Sequence, residues 1–310
     1  MQIELTAPCC LTLAALRLDG HPALLGITLQ HPPVQLLARP SAQLLVSGAR
    51  ADAAYYAAVR FLEANGLAGG AEIEIELAIA SQMGLGSNAI TGLSAAAALA
   101  ALHGLPADDS AALVRGAGLS ADDGLAAHAF SQGGLLAVDI DGRLLRRQLL
   151  PHTDEANDWA FVLLLPRVPR GTPEDLEDAG RRALWTAAAL IEADAAQQAS
   201  AALWAAADAK QIAAFGAALM QLQTLADAAL TQLGAAPSHS PDDDVTLAVM
   251  RESGALAYGK APTGLGLYAL VEGAAATHRL RQALAQQIGH AGGTAMASIC
   301  APRGAILTGK

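Results

Sequence analysis

Alternating and continuous apolar runs dominate the first third of the chain; beyond it, helical spacing interleaves with short strands. Gln2–Leu5 alternates, Leu11–Leu18 is an apolar run, and Gly26–Leu29 and Val34–Ala38 follow, with Pro32 and Pro33 punctuating between them. All four read as strands. Ala51–Asn65 has helical spacing, with Tyr55, Val59 and Leu62 on one face, and Asn65-Gly66 ends it. Glu72–Leu77 (E-I-E-I-E-L) is a strict period-two strand with one apolar and one acidic face.

Next comes S-Q-M-G-L-G-S-N-A-I-T-G-L and an alanine-rich helix to about Leu102, closed by His103-Gly104-Leu105-Pro106. Ser110–Arg115 reads as helix, Gly116–Gly124 as a second glycine-containing loop, and Leu125–Phe130 as a helix running into Gly133-Gly134. Leu135–Asp139 is a strand turned by Asp141-Gly142. The polar stretch Pro151–Asp158 marks an expected boundary between a domain over 1–155 and another over 156–310. Past it lie a buried strand, Trp159–Leu165, stopped by Pro166, and long helical regions, Pro173–Ala193 and Ala199–Leu233. A polar loop, Pro237–Asp244, and a helix, Val245–Ser253, follow. Strands Ala255–Tyr258 and Leu267–Val271, a helix Ala275–Gly289 and a strand near Ala295–Ala301 complete the pattern. The interleaving has no regular βαβ period, which favours α+β over a doubly wound sheet.

Of 310 residues, 53% are hydrophobic and 15% charged, which excludes a disordered chain and supplies apolar surface for two cores. A formal charge of −10 without a Lys/Arg cluster argues against nucleic acid or an anionic membrane as partner. The most apolar long segment, Ala89–Leu102, is too short to span a bilayer, and the strand-like start is unlike a signal peptide, so a cytoplasmic protein is expected. Cys9, Cys10 and Cys300 have no metal-site spacing and read as reduced, packed thiols.

The strongest chemical signal is Met83–Asn88, M-G-L-G-S-N between a strand and a helix. Gly84 and Gly86 let the backbone approach a ligand, with Leu85 between them. The free N–H groups of the following helix and its dipole favour an anion, most often phosphate. Ser87 adds a hydroxyl, as a ligand donor or a cap, and Asn88 completes the run. The plain alternative is a strand-to-helix turn with a good cap. A Walker A loop is excluded because no Lys-Ser/Thr follows, and a Rossmann fingerprint because the glycine spacing is wrong.

Gly84-Leu85-Gly86-Ser87 before an alanine-rich helix resembles the G-L-G-S-S-A-A signature of the GHMP kinase superfamily, whose loop embraces ATP phosphates. Lys260-Ala261-Pro262-Thr263-Gly264-Leu265-Gly266 is similar to the superfamily's late K-x-T-G-x-G motif, which packs against the nucleotide-side loop. The resemblance implies a GHMP fold: an N-terminal domain like ribosomal protein S5 domain 2 and a C-terminal ferredoxin-like α/β sandwich. Within the superfamily the pattern looks nearest to the β-ribofuranosylaminobenzene 5'-phosphate synthases of methanopterin biosynthesis. Ala7–Pro32, Phe130–Leu135 (F-S-Q-G-G-L), Asp158-Trp159, Arg170-Gly171 and Gly259–Leu270 carry that likeness. Departures fall at polar positions. Cys9 and Cys10 stand where that family has arginine and histidine, Gln82 where it has histidine, and Gly118–Asp123 where it has arginines; no arginine visibly replaces them.

The resemblance implies phosphate or nucleotide contacts at Gly84, Leu85, Gly86, Ser87, Asn88, Lys260, Thr263, Gly264 and Gly266. It implies catalytic candidates at Asp122, Asp123 and His128, with Ser87 and Asp123 as Mg²⁺ ligands. Plain readings stand beside these: acids at a helix start, a structural histidine, a surface lysine. In register with Gly133-Gly134, the usual kinase aspartate falls on Ala126. Asp242-Asp243-Asp244 reads as a solvated helix start. Three functions remain open. One is a synthase-like protein using phosphoribosyl pyrophosphate, another a Mg-ATP-dependent small-molecule kinase, and the last a non-catalytic paralogue acting as a binding or assembly subunit. The expected partner is a small phosphorylated substrate, and a homodimer is left open.

Overall fold

The computed structural model describes residues 2–151, 157–173, 175–234, 239–288 and 292–310, in two sheets with helices packed on them. β1 (Ile3–Leu18) and β2 (His21–Ser41) form one long hairpin, so the segments expected as separate strands merge. The two prolines do not end β2. Pairing with β1 jumps from Leu29 to Val34, so Pro32 and Pro33 sit in a bulge where no ladder N–H is needed.

Further along, β2 serves two neighbours. Its residues 35–41 pair with β4 (Gly70–Leu77) and residues 23–27 with β5 (Leu135–Asp139). The parallel strand β3 (Leu45–Gly48) lines the edge of β4, β6 (Leu144–Gln148) extends β5, and β11 (Ile306–Gly309) pairs with β1. β3, β6 and β11 escaped the sequence reading because each is short and mostly exposed, leaving no buried face to impose alternation.

Helices α1 (Ala51–Ala64), α2 (Ser87–Leu102), α3 (Ser110–Gly116) and α4 (Gly124–Gln132) pack with this sheet. α2 is buried almost all round, and its alanines let β1, β2, α1 and α4 close in from different sides.

The second sheet has the order β10-β7-β9-β8, every pair antiparallel: β7 (Trp159–Pro166), β8 (Ala257–Lys260), β9 (Leu267–Glu272) and β10 (Gly293–Ile299). In chain order this is 4-1-3-2, the ferredoxin-like arrangement of a split β-α-β unit. The helices of this half are α5 (Leu176–Leu190), α6 (Ala193–Asp208), α7 (Ile212–Gln232), α8 (Pro241–Glu252) and α9 (Gly273–Ile288). α8 and α9 pack on the second sheet, α5 and α6 on the first, and α7 touches both. The region expected as helix over Ala199–Leu233 breaks at Lys210, whose φ is +55°. α8 starts ahead of its expected position because Ser240 and Asp243 form a capping box with Pro241 inside it. Residues 152–156 of the expected boundary, Pro237 and Ser238 of the polar loop, and Gly289 lie outside the described residues.

The largest apolar cluster runs from Leu5, Leu11 and Leu16 of β1 through Leu99 of α2 to Trp159, Phe215 and Tyr268, so the two sheets share an interior. The Tyr268 hydroxyl donates to the Leu13 carbonyl (3.4 Å), fastening β9 to β1. Among the described residues one helix, α7, is long and apolar enough by length and composition to cross a membrane. Its Phe215, Leu219 and Leu222 are buried within the protein.

Candidate functional site at the N-terminus of α2

Past β4 the chain turns into α2 through two left-handed glycines, Gly84 (φ +73°) and Gly86 (φ +70°), the second being the N-cap. β1 holds this loop on one side: Cys10 N–H donates to Leu85 O (3.1 Å) and Thr12 N–H to Gly84 O (3.3 Å). On the other side the turn after β8 grips it, Leu265 N–H donating to Gln82 O (2.8 Å). A Cβ on Gly264 would stand 2.2 Å from the Gly84 nitrogen, and one on Gly84 2.5 Å from the Ala261 Cβ. The two glycine turns therefore touch backbone to backbone, and a side chain at either would part them.

The first turn of α5 closes over the same loop. Glu177 Oε1 accepts a hydrogen bond from Gly84 N–H (3.2 Å), and Gln82 Nε2 donates to the Pro173 carbonyl (2.8 Å). Burial pushes the Glu177 carboxyl above its ordinary value; the Gly84 amide, Arg181 and Arg50 oppose that shift. Arg181 reaches across to Asp123 (2.9 Å) and also grips Asp178 on its own helix. Cys10 and Cys9 are both buried, and burial raises both thiols, that of Cys10 to about 12. Such thiols stay protonated and inert at neutral pH.

Three cavities meet at Glu177. The largest, about 550 Å³, is walled by Arg50, Tyr56, Arg60, Asn88 and Gly118. A second, about 230 Å³, lies among Asn88, Asp122, Asp123 and Arg181. The third, about 30 Å³, is lined by Cys10, Thr12, Asp122, Ala126, Arg181 and Thr263. Arg50 donates to Asn88 Oδ1 at the mouth of α2. In the first turns of α2 the hydroxyls of Ser87 and Thr91, four residues apart, are buried without a hydrogen-bond partner, though neither residue lines these cavities. Unsatisfied buried hydroxyls are rare enough to mark a place where a ligand or water belongs.

No family model and no curated protein matches the sequence. Solved structures do. Homoserine kinase from Cytophaga hutchinsonii aligns at a TM-score of 0.69 and 19% identity, over 99% of this chain and 97% of that one. Mevalonate diphosphate decarboxylase from Enterococcus faecalis aligns at 0.65 and 14%, over 100% and 99%. A 4-(cytidine 5'-diphospho)-2C-methyl-D-erythritol kinase aligns at 0.62 and 23%, over 96% and 98%. The chain has the GHMP kinase fold.

Within this GHMP fold, the residues read from the sequence divide into two groups. Gly84, Leu85, Gly86, Ser87 and Asn88 form the loop and the start of α2, with Thr263, Gly264 and Gly266 packed beside them. Asp122 lines two of the cavities. Asp123 stands near but is engaged, accepting from Ser120 N–H (3.0 Å) and pairing with Arg181. Lys260 points elsewhere. Its ammonium is 3.0 Å from Asp243, and it lines a separate cavity of about 210 Å³ with Leu13, Gln223 and Tyr258. His128 also turns away: Nε2 lies 3.0 Å from Gly142 O and Nδ1 3.3 Å from Gln132 Nε2. One tautomer serves both contacts, with Nε2–H donating and Nδ1 accepting. Among the described residues no group of three or more His, Cys, Asp or Glu forms a ready metal cage.

The sequence reading missed Glu177, Arg181 and Arg50. Arg181 arrives from α5 to line the cavity beside Cys10, its guanidinium paired with Asp123 and Asp178. Glu177 and Arg181 are four apart, an ordinary exposed-helix spacing that carries no hint of a site.

Proposed function

We propose that this chain is a phosphotransferase that binds a nucleoside triphosphate at the α2 N-terminus and passes its terminal phosphoryl group to a small acceptor. The observation that carries this reading is the Gly84 amide. It belongs to the loop whose Gly86 lines two of the cavities, and it already donates to a carboxyl oxygen of Glu177, the side chain at which all three cavities meet. The 550 Å³ cleft has the volume of a small-molecule site, with Arg50 and Arg60 as its cations beside the acids Asp52, Glu177 and Asp178. Two of the three neighbours are named as kinases, and the decarboxylase structure is described by its ATP-binding mechanism.

In this reading the acceptor oxygen attacks the terminal phosphorus from the small cavity, and the bond to the bridging oxygen of the diphosphate breaks. Asp122 is the carboxylate left to take the acceptor proton, since Asp123 is held by Arg181. Asp122 and Asp123 beside the 230 Å³ cavity would hold Mg²⁺, which binds through few protein ligands plus phosphate oxygens. The Ser87 hydroxyl would join them only with movement of the loop, since it lines none of the three cavities. When bound, the ion neutralises charge on the transferred group. The loop amides and Arg181 orient that group, and packing of the Lys260–Gly266 turn keeps the loop in place.

A second reading is pentosyl transfer from phosphoribosyl pyrophosphate, as in the synthase-like alternative. Arg181 favours it by restoring a guanidinium to the cavity where the sequence had lost one. Thermal-shift titration separates the two. Stabilisation by Mg-ATP and not by Mg-phosphoribosyl pyrophosphate is the result expected of a kinase. The reverse pattern selects pentosyl transfer, and no shift with either leaves a non-catalytic binding subunit.

A further inference from the structure

Glu177 is the one side chain that lines all three cavities around the loop, and it does so while holding the loop's outward amide. Its position is built. Gly180 lets α5 lie flush on the late turn, because a Cβ there would stand 2.8 Å from the Pro262 carbonyl. The Gln82-to-Pro173 bond fixes the start of the segment, and Arg181 between Asp123 and Asp178 fixes the first turn of α5 from the far side. A buried carboxylate is costly unless something repays its lost hydration, and here the repayment comes from an N–H group a phosphate would also use.

We propose that Glu177 is a tethered competitor for the anion seat of the glycine loop, so that a phosphoryl oxygen gains the Gly84 amide only as the Glu177 carboxylate leaves it. The proposal rests on the phosphate-binding reading of the loop and adds a specificity rule to it. An anion that brings only the interactions of this one seat must evict a carboxylate already in place. A polyphosphate that also engages Arg50 and Arg60 in the 550 Å³ cleft has further contacts to offset the eviction. The site is thereby biased toward extended polyphosphates and away from lone phosphate or carboxylate metabolites. Arg181, held by Asp123 and Asp178, stays over the small cavity while the Glu177 side chain swings away, so the eviction needs no movement of α5.

Calorimetric titration of the full chain with pyrophosphate and with Mg-ATP tests this, using wild type, Glu177→Gln, Glu177→Ala and, as a control, Glu72→Gln on the exposed face of β4. Removal of a charged hydrogen-bonding rival is expected to tighten pyrophosphate binding by about tenfold in Glu177→Ala. Glu177→Gln, which keeps the shape and can still accept from Gly84, falls between that variant and wild type, and Glu72→Gln matches wild type. Equal or weaker binding by both Glu177 variants, with wild type binding normally, overturns the competitor and leaves the phosphate loop standing. Absence of binding in all four proteins, each shown folded by its melting transition, overturns the loop reading and the competitor together.

Discussion

The molecule contains two glycine-bearing turns of similar composition, and they do opposite things. Met83–Asn88 opens a helix, gives its Gly84 amide to the Glu177 carboxyl and carries the unpartnered Ser87 hydroxyl. Lys260–Gly266 closes on itself: Ala261 N–H donates to Gly266 O (2.7 Å), Gly264 N–H to Ala261 O (3.0 Å), and Leu265 N–H is spent on Gln82. Its lysine is neutralised by Asp243. In the proposed function the glycines of the first turn make room for a ligand; those of the second make room for the first turn. Composition alone does not separate the two roles, but the backbone does. Gly84 and Gly86 are left-handed (φ +73° and +70°), whereas Gly264 and Gly266 are not, and the amides of the two turns go to different partners.

The sharpest way to break this contrast is Gly264→Ala. Its methyl group would meet the backbone of Met83 and Gly84, atoms that cannot rotate aside. A stability loss of about 3 kcal/mol is expected in urea unfolding, with anion binding impaired in the folded fraction. Full stability would mean that the second turn is not the buttress described.

Lys260→Ala comes next. Lys260 and Asp243 are 16% and 15% exposed, so the carboxylate loses its charged partner while keeping the Ser240 amide, and about 1.5 kcal/mol of stability is expected to go. The Kd for Mg-ATP should not change, and adding Asp243→Ala should cost further stability because it removes the capping box of α8. A weakened Kd in the single variant would make the second turn a ligand seat as well and erase the comparison.

Ser87→Ala should invert that pattern. Removing a buried hydroxyl that has no partner leaves unfolding free energy unchanged or slightly higher, while Mg-ATP affinity falls by about tenfold if the hydroxyl serves the ligand. Unchanged affinity would remove Ser87 from the site.

The smallest effect is a pH trend. Because burial raises the folded-state value of Glu177, the protein binds a proton more readily when folded than when unfolded. Its contribution is fully favourable below the ordinary carboxylate range and is lost as pH rises through the raised value. Glu177→Gln should therefore be more stable than wild type at neutral pH, and the gap should close as pH falls. Asp243 runs the other way. Burial raises it, but the Ser240 amide and Lys260 together outweigh burial and lower it, so its contribution disappears as pH falls through that lowered value. Melting curves of wild type, Glu177→Gln and Asp243→Asn across the acidic range distinguish the two signs.

What the sequence disclosed follows from where the physics is local. Strand Glu72–Leu77 was legible because its burial alternates with period two. Helix Ala51–Ala64 was located, but on the face of Tyr55, Val59 and Leu62. The buried residues are instead Ala54, Ala57, Ala58 and Phe61, and Tyr55 is exposed, because alanines on the packed face carry little apolar weight. The glycine loop was legible because left-handed backbone before a helix demands glycine at fixed spacing. Contact between the two glycine turns entered through the resemblance alone. Lys260 was read as a phosphate contact or a surface lysine, and its ion pair was not legible because its partner Asp243 lies seventeen residues earlier, on a helix whose acids read as solvated. Glu177 and Arg181 were invisible since their surroundings come from β1, the glycine loop and the turn around Asp123, none of them near in the chain.

The pairing of β11 with β1 sets the earliest and latest described residues side by side, Gln2 and Lys310 exchanging backbone hydrogen bonds in both directions (2.9 Å each). Closing a loop of that span is an entropic cost that only cooperative assembly can recover, and it makes β1 an open edge in any partly folded form. An open edge with an apolar neighbour is a template for pairing with another chain. Trimming residues 306–310 would expose that edge permanently, so the truncated protein should assemble edge to edge even where its glycine loop is intact.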